Sequence, residues 1–195
     1  MSKLLDRLLS RDEHVCPWWL AWTFNNPLRT WLHDPRVILG PYIKEGMTAA
    51  DIGCGMGYFS VAMARMVGPN GKVLSVDLQQ KMLDLCRKRV SRVGVSDRVS
   101  TIRAAADDIK ISDPVDFVLV FWMVHEVKDI PRFFGQVATV LKPGRNMLYV
   151  EPRMHVTQTR FDEILGHARK AGFNVKANPH VGLSRAALLE RNTPS

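Results

Sequence analysis

The segment Asp51-Ile52-Gly53-Cys54-Gly55-Met56-Gly57 constrains the fold more than any other part of the chain. It follows an apolar run over 48–52. It precedes 58–67, a stretch of helical composition that Gly68-Pro69-Asn70-Gly71 breaks. Alternate glycines between a strand and a helix let backbone pass close to a ligand in dihedrals closed to other residues. Strand, glycine turn and helix in that order form the opening unit of a doubly wound α/β sheet.

The alternation continues. Residues 72–77 read as a second strand and 81–98 as a basic amphipathic helix with Met82, Leu85, Cys86, Val90 and Val93 on one side. A third strand is expected over 98–103, and the continuous apolar run 116–121 suits a central parallel strand covered on both faces. Pro131 opens a helix through Leu141 that Pro143-Gly144 ends, and a fifth strand covers 146–150. Residues 160–170 carry Phe161, Ile164, Leu165 and Ala168 at helical spacing. The runs 173–176 and 185–189 have no helix between them and should pair antiparallel. The expected architecture is a Rossmann-like doubly wound seven-stranded α/β sheet, mostly parallel with an antiparallel C-terminal strand pair. Its ligand site should lie at the carboxyl ends of the strands, where the winding reverses. Residues 1–45 are expected to form an N-terminal helical, aromatic lid segment and residues 46–195 the sheet domain.

Composition narrows the function classes. A chain of 195 residues with 46% apolar content can bury one core but not two. No stretch approaches the roughly 18 uninterrupted apolar residues of a membrane span, and the first residues are too charged for a secretory signal, so a cytoplasmic protein is expected. Three cysteines fit neither a disulfide framework nor a paired metal-ligand set, so no metal is expected. A net charge of +8 raises nucleic acid as a partner, but the densest basic stretch, 81–98, reads as a solvated helix face.

Two ligands compete for the glycine turn. A dinucleotide fingerprint needs its third glycine where Tyr58 stands, and Asp51 would set a carboxylate against a pyrophosphate. The same carboxylate suits the ammonium and sulfonium charges of S-adenosylmethionine. Asp77 ends the second strand about twenty residues after the turn, where a carboxylate can accept from both ribose hydroxyls.

DIGCGMG, SVDLQQKML, FVLVFWMVHEV and LKPG together resemble class I S-adenosylmethionine-dependent methyltransferases, most of all the small-molecule group of ubiquinone/menaquinone-type and arsenite-type enzymes. The resemblance covers 48–150 by motif. It implies that Asp51, Gly53, Gly55 and Gly57 hold the methionine end, Asp77 the ribose, and Leu78 and Met82 the ribose-adenine face. Phe121, at the end of the fourth strand, joins the cofactor-binding set. Relatives carry a GDAEDL-like turn whose first acid meets the adenine amine; here AAADDI puts Ala105 at that place. Either Asp107 substitutes from a shifted turn or backbone near Ala106 does the work. Arg145 also replaces the second glycine of the usual LKPGG.

On the acceptor side, Phe121-Trp122-Met123-Val124-His125-Glu126 should sit beside the sulfonium. His125 is the candidate base or acceptor-orienting group, with a structural role at a helix start as the alternative, and Glu126 either orients it or faces solvent. The strand end lacks the Asn/Asp-Pro-Pro-aromatic motif of enzymes that methylate exocyclic base amines. Ahead of the fold, His14, Cys16, Trp18 and Trp22 belong to an aromatic-rich segment that either packs on the sheet or closes over it. With Trp122 they are expected to line an apolar pocket. Cys16 is either a reactive thiol toward a soft acceptor or buried and inert, and Cys54 and Cys86 take packing roles. Methyl transfer to a small, partly apolar molecule is the expectation. The alternatives are an RNA or protein methyltransferase using the basic surface and a non-catalytic cofactor-binding accessory protein.

Overall fold

The computed structural model describes residues 32–193. After a short helix α1 (Pro35–Leu39), the chain alternates through β1 (Thr48–Ile52), α2 (Tyr58–Met66), β2 (Lys72–Asp77), α3 (Gln80–Arg92) and β3 (Val99–Arg103), and then reaches β4 (Val115–Phe121) without an intervening helix. It continues through α4 (Ile130–Val140), β5 (Leu141–Pro152), α5 (Gln158–Lys170), β6 (Phe173–Ala177) and β7 (Ser184–Arg191). The seven strands form one sheet in the order β3-β2-β1-β4-β5-β7-β6. Pairing is parallel from β3 to β5, whereas β7 pairs antiparallel with both β5 and β6.

Strand alternation splits the core into two layers. On β4, Phe117, Leu119 and Phe121 face the side covered by α1, α2 and α3, while Val118 and Val120 face α4 and α5. Both sets are buried, which explains the unbroken apolar run. Phe134 and Leu119 are fully buried, and truncating such a side chain to Ala costs about 3–5 kcal/mol.

The helices start and stop for local reasons. Asp129 caps α4 through the Arg132 N–H at 3.0 Å, and Thr157 caps α5 through the Arg160 N–H at 3.2 Å. The basic helix ends at Arg92, not Arg98; Gly94 turns left-handed behind it and Ser96–Arg98 form a single 3-10 turn. Its buried positions are Met82, Leu83, Cys86 and Val90, with Leu83 inside where Leu85 was expected. Pro143-Gly144 do not end a helix. They lie inside β5, which begins at Leu141 directly after α4 and makes a register shift against β4. Arg145 reaches the start of β4, where it and Lys142 approach Asp116 at 3.6 and 2.8 Å.

Winding reverses between β1 and β4. From β1 the chain steps outward to β2 and β3, then returns to β4 on the other side. The carboxyl ends of these two neighbours open the crevice in which doubly wound sheets bind ligands. No helix among the described residues is long and apolar enough to cross a membrane.

Candidate active site

The floor of the crevice is the glycine turn. After β1, the N–H groups of Gly53 and Cys54 both donate to the Val76 carbonyl, at 2.8 and 2.9 Å. The turn is thereby pinned to β2. Gly57 caps α2 at φ 76°, and a Cβ there would meet Cys86 Sγ at 2.6 Å and the Cys86 Cα at 3.3 Å. Only glycine fits, because α3 passes directly beneath the turn. Cys54 and Cys86 are free and buried, in keeping with packing roles.

Asp77 closes this side. One carboxylate oxygen accepts the Gly55 N–H at 2.9 Å and the other accepts the Gln79 N–H at 2.9 Å. Burial raises its pKa above the ordinary 3.8, against the lowering pull of the Gln79 and Gly55 N–H groups. An ionised carboxylate has about four acceptor sites, so the two hydrogen bonds leave capacity for ligand hydroxyls. A Cβ on Gly55 would meet nothing within 4 Å among the described residues, so the turn faces open space beside that carboxylate. Leu78 is exposed at the same edge and Met82 is buried below it. Asp51 is almost fully buried and accepts the Ser60 hydroxyl at 2.6 Å. Asp107 is exposed and pairs with Arg132 of α4 at 3.3 Å, and Ala106 is exposed in the same turn.

The other wall is the chain leaving β4. Phe121 is buried among Phe59, Trp122 and His33, with ring centroids 4.5, 5.4 and 5.2 Å away. Trp122 takes φ 61°, a strained value for a bulky residue; its N–H donates to Val150 and its indole N–H to Ser184 Oγ at 3.0 Å. A Cβ on Gly53 would strike Met123 Cγ at 2.7 Å, so the two walls are in contact. Val124–Glu126 then form a 3-10 turn that presents His125.

The carboxylate that grips His125 is Glu151, near the carboxyl end of β5. Its two oxygens take the His125 backbone N–H at 3.0 Å and Nδ1 at 2.6 Å. Glu126, read from the sequence as either orienting His125 or facing solvent, lies 3.9 Å from Nε2, too far for a hydrogen bond. Burial would lower the His125 pKa, but the Glu151 hydrogen bond and charge, with the Glu126 charge, outweigh it and hold the imidazole above its ordinary 6.5. His155 lies parallel to it at 6.0 Å between ring centroids.

Sequence alone also missed His33, whose Nε2 donates to the Gly182 carbonyl at 2.7 Å while its ring packs edge-on against Phe121 and Trp122. Nothing in its local sequence marks it. Glu151 had a usable signal, an acid closing an apolar strand beside the switch point. His14, Cys16, Trp18 and Trp22, and most of the expected N-terminal lid, lie outside the described residues.

A seven-stranded sheet with β7 reversed, a glycine turn braced by the acid ending β2, and a crevice at the reversal point are features this chain shares with class I S-adenosylmethionine-dependent methyltransferase domains. Comparison with known proteins agrees: the model for the methyltransferase domain matches residues 49–144. The chain is 29% identical to a demethylmenaquinone methyltransferase of Symbiobacterium thermophilum, over 74% of this chain and 62% of the relative. It is 29% identical to a ubiquinone/menaquinone biosynthesis C-methyltransferase of Pasteurella multocida, over 56% and 41% respectively. The chain therefore spans between about two fifths and three fifths of the length of these relatives. A crystal structure of an S-adenosylmethionine-dependent methyltransferase from Aquifex aeolicus superposes with a TM-score of 0.81 at 24% identity, covering 90% of this chain and 98% of that one. S-adenosylmethionine is the cofactor this domain type uses, and the remaining acceptor capacity of Asp77 beside Gly55 suits ribose hydroxyls.

Proposed function

We propose that this protein transfers a methyl group from S-adenosylmethionine to a small acceptor with an apolar ring system. One observation carries the reading. The Asp77-braced glycine turn and the Trp122–His125 turn touch at the ends of neighbouring strands, so a cofactor on the first would lie against an acceptor on the second. When bound, S-adenosylmethionine supplies a methyl carbon on a sulfonium that leaves with the electron pair of its carbon–sulfur bond. The chain's contribution is alignment, exclusion of water and management of one acceptor proton.

In this assignment Gly53, Gly55, Gly57 and Asp51 surround the methionine end and Asp77 holds the ribose. Leu78 and Met82 line the ribose-adenine face, with Phe121 packed behind it. For the adenine amine, backbone near Ala106 is favoured over Asp107, whose carboxylate is engaged by Arg132. Trp122 and His125 form the acceptor wall, joined by the 1–45 segment with His14, Cys16, Trp18 and Trp22. The names of the relatives make a naphthoquinol the first acceptor to try. A soluble cytoplasmic location belongs to the same reading. Basic residues of the described surface are spread among acidic partners, as in Arg87 with Asp84 and Lys110 with Asp108, which disfavours a phosphate-tracking face.

The test is incubation with methyl-labelled cofactor and three acceptors: reduced demethylmenaquinone, a catechol and bulk RNA. Label in either small molecule supports the reading. Label in RNA alone, falling steeply with added salt, or tight cofactor binding without transfer even from cell extract, overturns it.

A further inference from the structure

Glu151 has no exposed surface, and each of its two oxygens takes a hydrogen bond from His125. Burying a carboxylate without a strong partner costs several kcal/mol, so its placement beneath an imidazole, not an arginine or lysine, calls for a chemical reason. Behind it, burial and the Glu151 charge push the phenol of Tyr149 far above its ordinary 10, which keeps that hydroxyl protonated. Because an ionised carboxylate only accepts, the 2.6 Å contact places the imidazole proton on Nδ1. The lone pair is then on Nε2, and the ring is only partly covered, with 23% of the side chain exposed.

We propose that Glu151 is the positioning residue for His125: it locks the ring with the proton on Nδ1, so that Nε2 takes the proton of a weakly acidic phenolic or enolic hydroxyl on the acceptor. This rests on the methyl-transfer reading above. In the step, the acceptor's O–H bond breaks, the N–H bond at Nε2 forms, and the O–H electron pair stays on the acceptor oxygen. The imidazolium so formed lies between two carboxylates, Glu151 on the Nδ1 side and Glu126 at 3.9 Å on the Nε2 side, which stabilise its charge. Among the described residues, the titratable groups around it are Glu151 from β5, Glu126 from its own turn and His155 from the loop after β5, with Tyr149 behind Glu151. A thiol or amine acceptor would have little need of the device, so it points to a hydroxylated ring.

The deciding measurement is NMR of histidine-labelled protein, with His125→Asn assigning the signal. The expected result in the unaltered protein is an Nδ1–H tautomer that titrates above 6.5. In Glu151→Gln that pKa should fall and the tautomer preference be lost, with Glu151→Asp in between. A neutral ring with its proton on Nε2 in the unaltered protein overturns the proposal, as does a His125 titration unmoved by Glu151→Gln. If Glu151→Gln does not fold, the tautomer of the unaltered protein and the Glu151→Asp titration decide. Calorimetry with S-adenosylhomocysteine on the same samples tests the cofactor site separately, so loss of the methyl-transfer reading would show there without moving the tautomer. With reduced demethylmenaquinone or the catechol turned over, Glu151→Gln should lower kcat about a hundredfold at little change in KM. It should also shift the alkaline rise of the rate to lower pH. An unchanged kcat and pH profile would overturn the assignment.

Discussion

The two walls of the crevice are built from different material. The β1–β2 wall is backbone: glycine N–H groups, a carbonyl of β2 and one carboxylate that braces them, all within 27 residues from 51 to 77. The β4–β5 wall is side chains: an indole held by Ser184 from 62 residues away and an imidazole held by Glu151 from 26 residues away. In the proposed assignment a wall of backbone can serve any acceptor, because it would grip the shared cofactor. A wall of side chains can be re-specified residue by residue. Cofactor binding should therefore fail on the first side and acceptor turnover on the second.

The largest effect is expected at Gly57→Val. The new side chain would sit at φ 76° and press into Cys86 of α3, combining left-handed strain of about 1–2 kcal/mol with overpacking of about 1–3 kcal/mol. Affinity for S-adenosylhomocysteine by calorimetry should fall a hundredfold or more, with the melting temperature lowered. Unchanged affinity would mean that the turn does not form the cofactor floor.

Asp77→Asn comes next. It keeps the shape but leaves an amide facing two N–H donors, so cofactor affinity should drop about tenfold or more. The pH dependence has a definite sign. Because burial raises the Asp77 pKa above 3.8, the group takes up its proton earlier than an exposed aspartate as pH falls. Cofactor affinity should weaken in mild acid, and Asp77→Asn should flatten that fall. Parallel curves for the two proteins would remove Asp77 from the ribose assignment.

The contrast between the walls also explains what could be read in advance. All seven strands and the glycine turn between β1 and α2 followed from local patterns: apolar runs, glycine breaks, and an acid at a strand end. Misplaced boundaries sat where tertiary contacts override local signals, as when β5 takes over Pro143-Gly144 from the expected helix end. Glu151 was passed over in favour of Glu126 because neighbours in sequence are easier to pair than residues that meet only once β4 and β5 lie side by side. His33 was invisible for the same reason, since its partners come from α2, the turn after β4 and the loop before β7.

Ser184→Ala probes the side-chain wall at moderate cost. The Trp122 indole N–H would lose its acceptor in a buried setting, destabilising the fold by about 1–3 kcal/mol, or about 2–4 °C in melting temperature per kcal/mol. The acceptor KM should rise while cofactor affinity stays within twofold. If cofactor affinity falls instead, the two walls are not separable.

Arg145→Ala should do least, and for that reason it bounds the comparison. Arg145 lies at the opposite end of the sheet, near the start of β5, where its guanidinium comes within 3.6 Å of Asp116 while Lys142 already holds the same oxygen at 2.8 Å. Nearly half of the arginine side chain is exposed, so water screens the pair, and such contacts are worth about 0–1 kcal/mol. Asp116 also keeps the Thr48 N–H on its other oxygen, so the start of β1 stays tied without the arginine. Cofactor affinity and turnover should both match the unaltered protein, with the melting temperature down by no more than a few degrees. A substantial loss of either activity would show that the amino ends of β4 and β5 are coupled to the crevice, and that the division between walls runs through the sheet and not only along its carboxyl edge.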